Sequence, residues 1–415
     1  MPTNRPAALT TARCRRLLSL GHSYTLGVNR RLAHAIQAAG GGRWEVVAAA
    51  PTYFHGYQDL RPSVLDATGD EPTRVVPLNA YLTRRVHLFC YGRRLRSLLR
   101  EGWDLVHMWE EPYILAGYQI AAWTPANIPL VFRTAQSLDK KYPPPFRWME
   151  RSVVRRSAGW ICSGRTVADN LLRRPGYAEK PMARIPLGVD VGAFRPDPAA
   201  GAAARRALGW GPGGPPVVGY LGRFVPEKGL TLLTNALDRL RTPWRALFVG
   251  GGPMEADLRA WAARHGDCVR LCTTVRHADV PAYVNAMDVL TAPSQTARHW
   301  REQFGRMLIE AFAAGVPVVG SDSGEIPNVI GDAGLVLPEA NEAAWVEALG
   351  GLLENPGRRA EFAARGLERV GRFSWSSVGR RYVEFFDRLL VGDTTDGGLP
   401  VRQNPDESHF ALSVL

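Results

Sequence analysis

Short apolar segments alternate with amphipathic stretches along the first half of the chain. Runs of aliphatic residues predict strands, and apolar positions at helical spacing predict a helix over 28–39, which the glycines at 40–42 end. The strands predicted in this way lie at 16–20, 44–50, 105–107, 130–132 and 159–162. Short apolar strands that alternate with helices predict a parallel sheet covered on both faces.

The alternation stops at 189–216 and then resumes. This segment is rich in proline, glycine and alanine, which predicts a linker. A second α/β sheet is expected over about 217–370. Its strands are predicted at 217–221, 246–249, 289–292, 316–320 and 334–337, and two of its helices at 229–240 and 254–264.

These patterns predict an α/β protein of two Rossmann-like domains. The N-terminal domain is placed at 14–190 and the C-terminal domain at 191–374, and an amphipathic helix is predicted at 375–391. Residues 1–13 and 392–415 are expected to be flexible, because they offer little apolar surface to bury. A length of 415 residues is typical of two domains.

The charge of the chain is unevenly distributed. Residues 1–190 hold 27 Lys and Arg against 14 Asp and Glu, whereas residues 191–415 hold 24 against 25. A basic half joined to a neutral half indicates an anionic partner, and nucleic acid, anionic lipid and a phosphorylated substrate all fit. An arginine-rich codon usage without functional meaning would give the same balance.

The cysteines and the apolar segments bear on the compartment. Five scattered cysteines without a second closely spaced pair indicate reduced thiols rather than a zinc site. No window reaches the roughly 20 apolar residues of a membrane span. The N-terminus also lacks the apolar core of a secretion signal. A cytoplasmic protein is therefore expected.

The first cluster of candidate chemistry lies at 219–229. The strand predicted at 217–221 delivers Gly222 and Arg223 to its carboxyl end, and a short loop then presents Lys228 before a helix. Ligands of open α/β sheets bind at the carboxyl ends of strands. Two cations at this position can neutralise a diphosphate, although a strand end with solvated charges would look the same.

Two further clusters follow the next strands. Gly251 lies in a run of three glycines after a strand, which allows a phosphate or a sugar to approach the backbone closely. Glu302 precedes a helix, and Glu310 lies just over one turn inside it. Amides at the helix entry can bind an anion or a hydroxyl, and a carboxylate can bind a ribose diol. Taken alone, this spacing of two glutamates also occurs by chance.

In this order, the motifs resemble those of the retaining family 4 glycosyltransferases, also called glycosyl transferases group 1, which have the GT-B fold. The resemblance runs over most of residues 16–391. Each motif alone is only weakly specific for the family, but the order and the separations of the motifs together are highly specific. They lie at 104–107, 185–190, 222–223, 227–229, 250–253, 302–305 with Glu310, 315–319 and 324–327.

The resemblance implies a role for each matching residue. Arg223 and Lys228 would hold the donor diphosphate in place of a metal ion, so no cofactor is expected. Glu310 would bind the donor ribose, and Glu302 would lie beside the transferred sugar. The amides of Phe304 and Gly305 would contact the sugar hydroxyls, with Gly222 and Gly251 also in the donor site. His107 would face the sugar across the cleft.

The resemblance also implies the fold and the reaction. Two parallel sheets would face a central cleft, and the helix at 375–391 would cross back to the N-terminal domain. A hexose would move from a UDP- or GDP-sugar to a glycan or lipid-linked acceptor with retention of configuration, as in polysaccharide or cell-envelope synthesis. The leaving phosphate would take the proton of the acceptor hydroxyl.

The acceptor side is less specific in sequence. Six arginines interleave with apolar residues over 84–100, which predicts a basic amphipathic helix suited to an anionic membrane surface. A solvated helix face over the core is the other interpretation. A sugar-phosphate synthase or a phosphorylase of the same fold, and a non-catalytic binder of sugar or nucleic acid, stay open as alternatives. The motifs favour the transferase, with no nucleic acid as partner.

Overall fold

The computed structural model describes residues 13–56, 62–66, 69 and 71–391. The flexible ends predicted at 1–13 and 392–415 therefore lie outside the described residues, except for Arg13, whose guanidinium contacts Asp104.

Seven parallel strands form the first sheet. The strands of this half of the chain, in chain order, are β1 (Arg15–Leu20), β2 (Trp44–Pro51), β3 (Tyr53–Phe54), β4 (Ser63–Val64), β5 (Arg74–Leu78), β6 (Ala80–Tyr81), β7 (Cys90–Tyr91), β8 (Leu105–Met108), β9 (Leu130–Thr134), β10 (Gly159–Cys162) and β11 (Met182–Arg184). The sheet has the spatial order β11-β10-β9-β8-β1-β2-β5, and the short strands pair separately as β3-β4 and β6-β7. Its helices are α1 (Gly27–Gly40), α2 (Arg94–Leu98), α3 (Leu115–Trp123), α4 (Phe146–Arg156) and α5 (Arg165–Leu171).

Six parallel strands form the second sheet, in the order β14-β13-β12-β15-β16-β17. These strands are β12 (Val217–Arg223), β13 (Arg245–Gly251), β14 (Val269–Cys272), β15 (Val289–Ala292), β16 (Val318–Ser321) and β17 (Gly334–Leu337). The remaining α-helices are α6 (Pro198–Ala207), α7 (Leu230–Arg239), α8 (Glu255–Ala263), α9 (Val280–Asn285), α10 (Arg306–Ala313), α11 (Ile326–Ile330), α12 (Glu342–Glu354), α13 (Pro356–Arg369) and α14 (Trp375–Val391). Short 3-10 helices lie at His22–Thr25, Pro226–Lys228, Gly266–Cys268, His277–Asp279 and Val370–Phe373.

The two sheets confirm the predicted α/β class, and their cores explain the apolar runs. Strands β8, β10 and β15 are buried at every position, as expected where helices cover both faces of a parallel sheet. Apolar side chains of each sheet therefore fill two cores, one on either face. The boundary between the domains, predicted at 190/191, stays a prediction.

Helix α14 follows the second sheet and packs against the first. Tyr382 and Phe386 are buried among residues of β1, α1 and β8. Gly379 lets α14 approach α1 closely, since a Cβ at this position would lie 2.2 Å from the carbonyl oxygen of Ala35. Asp387 accepts hydrogen bonds from Arg43 at 3.0 Å and from the Trp44 indole at 3.1 Å. The predicted helix at 375–391 thus has the bounds and the packing expected of it.

Two predicted elements were wrong. The segment 189–216 contains helix α6 rather than only a linker, because the Asp197 side chain caps the helix by accepting from the Ala200 amide at 2.9 Å. The segment 84–100 is not one amphipathic helix, because only Arg94–Leu98 is helical. Its apolar residues, such as Phe89 and Leu95, are buried in the core of the first sheet. The six arginines are exposed, so this segment presents charge but no apolar face.

Each sheet has one point at which its strand order reverses. The chain runs from β1 outward through β2 to β5 and then continues from β8 on the other side of β1. In the second sheet it runs from β12 through β13 to β14 and continues from β15 on the other side of β12. Crevices at such reversals, at the carboxyl ends of the strands, are the usual ligand sites of open α/β sheets.

Candidate active site

Lys228 and Glu302 form a buried ion pair at the reversal of the second sheet. Lys228 follows β12, and Glu302 lies in the loop after β15. The Lys228 ammonium donates to Oε2 of Glu302, which also accepts a hydrogen bond from the Ser294 hydroxyl at 3.1 Å. The ammonium lies 5.0 Å from the ring centroid of Trp300, within range of a cation–π contact. Ser294 and Trp300 were not predicted from the sequence, since neither belongs to a motif.

The pair fixes the charge state of the carboxyl group. Burial alone would raise the pKa of Glu302, but the Lys228 ammonium and the hydrogen bonds from Ser294 and the Phe304 amide outweigh burial and lower this pKa. Glu302 is therefore a carboxylate, and its oxygens also accept a hydrogen bond from the Gln303 amide at 3.2 Å. A fixed negative charge beside a fixed positive charge can stabilise a reaction in which a cationic sugar separates from an anionic leaving group.

Arg223 and the glycines complete the edge of this sheet. Arg223 ends β12 and is exposed, and its guanidinium has no ion-pair partner among the described residues. Gly222 and Gly250 lie against each other, because a Cβ on Gly250 would come within 1.8 Å of the Gly222 carbonyl oxygen. A Cβ on Gly251 would meet only the Thr273 carbonyl oxygen, at 3.8 Å. Gly251 thus borders open space, where a ligand can approach the backbone.

Helix α10 begins beside the ion pair. Gly305 precedes it with a φ of +83°, a conformation that glycine adopts readily. The Phe304 side chain is buried against Phe373, while its amide bonds to the Glu302 carboxylate. Glu302, Phe304 and Gly305 thus lie together at the entry to α10. Their predicted contacts with a sugar stay a prediction.

Glu310 faces inward from α10. Burial raises the pKa of Glu310 to about 7, and the neighbouring Arg306 guanidinium opposes this shift without cancelling it. Arg306 in turn donates to the Asn29 side chain of α1 at 2.9 Å, which joins the second half of the molecule to the first. A carboxyl group with this pKa changes its charge close to neutral pH, which matters for any ligand that needs its ionised form.

His107 does not face the cleft, which corrects the prediction for this residue. It lies within β8 rather than beyond its end, and its side chain is fully buried under α14, in contact with the rings of Tyr382 and Phe386. Its Nδ1 atom lies 2.8 Å from the Ser19 hydroxyl. Burial and the nearby Arg133 charge lower the pKa of His107 to about 3. His107 is a neutral core residue that supports the crossing helix.

Glu325 links the two halves at this edge. Its carboxylate accepts hydrogen bonds from the amides of Arg165 and Thr166, both at 2.8 Å, at the start of α5 in the other half. The Thr166 hydroxyl also donates to the Gly324 carbonyl at 3.1 Å. Glu325 lies in the motif at 324–327, but the sequence predicted no role for its side chain.

Two kinds of feature are absent from the described residues, a membrane-spanning helix and a cluster of metal ligands. No helix among them is long and apolar enough to cross a bilayer. The described part of the chain also holds no group of three or more His, Cys, Asp or Glu side chains placed to bind a metal ion together.

Comparisons with known proteins agree with the geometry. The family model described as Glycosyltransferase Family 4 matches residues 27–193, and the model described as Glycosyl transferases group 1 matches residues 215–355. The first match covers most of the seven-stranded sheet, and the second covers the whole six-stranded sheet with the Lys228–Glu302 pair.

Individual relatives carry related names. A D-inositol 3-phosphate glycosyltransferase from Xylanimonas cellulosilytica is 29% identical over 302 residues, which cover 69% of this chain and 68% of that protein. A GDP-mannose-dependent alpha-(1-6)-phosphatidylinositol monomannoside mannosyltransferase from Mycolicibacterium smegmatis is 35% identical over 213 residues, 49% of this chain and 55% of that protein. The matches thus span from about half to two thirds of these relatives.

Solved structures share the two-sheet fold. HepE from Anabaena, solved in complex with UDP-glucose, superimposes with a TM-score of 0.68 at 18% sequence identity, over 90% of this chain and 99% of that chain. At this low sequence identity, the superposition shows that the two proteins share a fold.

Proposed function

Because the chain belongs to the family 4 glycosyltransferases and has their GT-B fold, we propose that it moves a hexose from a UDP- or GDP-sugar to a glycan or lipid-linked acceptor, with retention of configuration. The observation that carries this proposal is the buried Lys228–Glu302 pair at the reversal of the second sheet, with exposed Arg223 beside it. The Anabaena neighbour was solved with UDP-glucose, and a named relative is GDP-mannose-dependent, which supports both donor classes.

In this proposal the donor lies along the carboxyl edge of the second sheet. Its diphosphate binds Arg223 and Lys228, with Gly222 and Gly251 allowing close approach, and its ribose binds Glu310. The sugar lies beside Glu302 and the Phe304–Gly305 turn. When the bond from the sugar to the diphosphate breaks, the two cations stabilise the leaving group, so that no metal ion is required. The contact of Glu325 with the other half would help to keep water out of the closed cleft.

The charge of the N-terminal half of the chain bears on the acceptor and on the place of the reaction. Its excess of basic residues and the six exposed arginines over 84–100 support a phosphorylated or lipid-linked acceptor at the cytoplasmic face of a membrane. Named relatives that act on inositol phosphate and on phosphatidylinositol mannoside support the same class of acceptor.

A panel of nucleotides tests the proposal. The protein is heated with UDP, GDP or ADP, each with EDTA or with magnesium, and the melting temperature is recorded. One nucleotide should raise this temperature, and EDTA should not change the effect. The matching sugar nucleotide is then incubated with acceptors, and mass spectrometry and the anomeric NMR signals identify the product. Stabilisation only with magnesium, or an inverted product, would contradict the proposal.

The pKa of Glu310 predicts pH-dependent donor binding. Since only the carboxylate can accept two hydrogen bonds from a ribose diol, and burial raises the pKa to about 7, affinity should rise with pH. Between pH 6 and pH 8 the ionised fraction grows about tenfold, and the affinity for the nucleoside diphosphate should follow it. Titration calorimetry measures this change. Because the nucleotide phosphate also titrates, Glu310→Gln is the control and should bind weakly with a smaller pH dependence.

A further inference from the structure

The turn between β16 and α11 holds the first half of the chain through one side chain. Glu325 is buried, and its two carboxylate oxygens accept separately, Oε1 from the Arg165 amide and Oε2 from the Thr166 amide, both at 2.8 Å. Gly164 leaves the space for this contact, because a Cβ at that position would lie 2.0 Å from Oε1 of Glu325. The φ of Gly164 is −170°, an extended conformation that any residue adopts, so the space rather than the backbone conformation requires the glycine.

This contact supplies a cap that α5 lacks in its own half. The first amides of an α-helix have no intrahelical partner, and Gly164 has no side chain with which to cap α5. The Glu325 carboxylate therefore satisfies two of these amides from the other half of the molecule. Hydrogen bonds to a charged acceptor are about twice as strong as neutral ones, and the positive end of the helix dipole adds to the attraction. Separation of the two halves would break both bonds at once.

The backbone of Glu325 contacts Glu302 directly. The Glu325 amide donates to the Glu302 carbonyl at 3.1 Å. Gly324 packs on the same carbonyl, since a Cβ on Gly324 would come within 1.9 Å of its oxygen. The Thr166 hydroxyl of the first half donates to the Gly324 carbonyl at 3.1 Å. One short turn therefore joins the start of α5 to the backbone of the residue that pairs with Lys228.

Both neighbours of Glu302 also contact the first half. The Arg301 guanidinium donates to the Ser137 carbonyl, and the Ser163 hydroxyl donates to the Gln303 carbonyl at 3.5 Å. The loop between β15 and α10 lies wholly within the described residues and contains no helix or sheet strand, apart from one isolated bridge. Its conformation therefore depends on contacts with other segments, and the first half supplies such contacts on both sides of Glu302.

From these contacts we propose that Glu325 is a positioning residue for Glu302, which it places for catalysis only when the two halves of the chain are in contact. The inference rests on the proposed function, in which the Glu302 carboxylate lies beside the transferred sugar. With the halves together, the backbone at 301–303 is fixed from both sides. With the halves apart, the Glu325 carboxylate and both neighbours of Glu302 lose their partners in the first half. A donor held by the second half alone is then bound but not activated, which protects it from hydrolysis.

Hydrogen exchange followed by mass spectrometry tests the contact itself, without any substrate. Glu325→Ala removes the carboxylate that satisfies the amides of Arg165 and Thr166, so a peptide that contains these amides should exchange at least about tenfold faster. Asp197→Ala is the matched control, because the Asp197 carboxylate caps α6 within the second half by accepting from the Ala200 amide. This control should leave the exchange at the start of α5 unchanged.

Gly164→Ala tests the same contact from the first half. Its methyl group would take the place of Oε1 of Glu325, so it should displace the carboxylate and speed the exchange at the start of α5 in the same way. Because this variant leaves the second half unchanged, a folding defect in that half cannot explain its effect. The losses of transfer rate from Gly164→Ala and Glu325→Ala should not add in the double variant, since each removes the same contact.

A double-mutant cycle with Glu302 tests the positioning role. Glu325→Ala should lower kcat by about tenfold or more, because a catalytic group that is slightly misplaced loses most of its effect. The affinity for the nucleoside diphosphate should be nearly unchanged, since its proposed partners lie in the second half. In the Glu302→Gln background, Glu325→Ala should lower kcat by less than about threefold, because the carboxylate that it positions is already absent. Rates at saturating donor and acceptor, and calorimetry, measure these quantities.

Three results would overturn the inference. The first is an equal loss of kcat from Glu325→Ala in the wild-type and Glu302→Gln backgrounds. The second is unchanged exchange at the start of α5 in both Glu325→Ala and Gly164→Ala, and the third is faster exchange in both variants with a normal rate of transfer. A wild type that neither binds a nucleotide nor transfers a sugar would instead contradict the proposed function, even where the exchange shows that Glu325 caps α5.

Discussion

Lys228→Ala is expected to lower the rate of sugar transfer by about 10²–10³-fold, the usual loss when one preorganised donor to a developing negative charge is removed. Its ammonium is nearly buried and fixed between Glu302 and the ring of Trp300, so no solvent reorganisation is needed when the diphosphate leaves. The loss should appear mainly in kcat. Steady-state rates at saturating donor and acceptor measure it.

The same substitution also leaves a buried carboxylate without its cation, which typically costs about 3–5 kcal/mol of stability. The double variant Lys228→Met with Glu302→Gln has no buried charge, and it should regain most of the melting temperature but none of the activity. Lys180→Ala is the matched control, because Lys180 precedes β11 at the edge of the first sheet and its ammonium donates to the Arg155 carbonyl at 3.1 Å. A double variant that recovered turnover would show that Lys228 acts through stability alone.

Glu302→Gln is expected to separate binding from turnover. The amide keeps the size of the side chain and can accept from Ser294, but it no longer opposes the positive charge that develops on the sugar. We expect kcat to fall by about 10²-fold or more. The affinity for the nucleoside diphosphate should be unchanged or higher, since Lys228 then has no competing anion.

Glu310→Gln is the matched control for this substitution, because Glu310 lies in the helix that the loop of Glu302 leads into. Its effect should appear as weaker nucleotide binding with a modest change in kcat, the reverse of the pattern for Glu302→Gln. Calorimetry and single-turnover rates on both variants measure the two quantities separately. Equal losses of affinity in the two variants would contradict the distinct roles of the two glutamates.

The strands of the second sheet could be predicted closely from the sequence. Positions 289–292 and 334–337 are strands with the predicted bounds. A short apolar run between turn residues is a strong signal for a strand of a buried parallel sheet. The positions of Arg223 and Gly251 could also be predicted, since each ends a strand, and Lys228 follows shortly after β12. For the same reason, Lys228 and Glu302 are close although they are far apart in sequence. The roles of these residues toward a donor stay predictions.

Other parts depend on tertiary contacts that a local pattern does not contain. His107 occupies a strand within a motif, but which way its side chain points depends on α14, which lies far along the chain. The arginines over 84–100 alternate with apolar residues as a helix would, yet the apolar residues are buried by the sheet instead. His22 and Glu110 are 88 positions apart, so their pairing becomes visible only from the strand order.

Each of the two sheets has a charged pair at the point where its strand order reverses. The second sheet brings together Lys228 and Glu302 on either side of its reversal, and the first sheet brings together His22 and Glu110. In the proposed reaction, the first of these pairs stabilises the departing nucleotide. The hydrogen bond from Arg306 to Asn29 joins α10 to α1, the helices that follow the loops of Glu302 and His22.

The proposal that fixed side-chain cations replace a metal ion at the donor diphosphate is tested most directly by a crystal structure with the nucleoside diphosphate that binds, grown in the presence of magnesium. We expect nitrogen atoms of Arg223 and Lys228 to lie within hydrogen-bond distance of the phosphate oxygens, with no ion bridging the two phosphates. A magnesium ion between the phosphates, with both side chains directed elsewhere, would contradict the proposal.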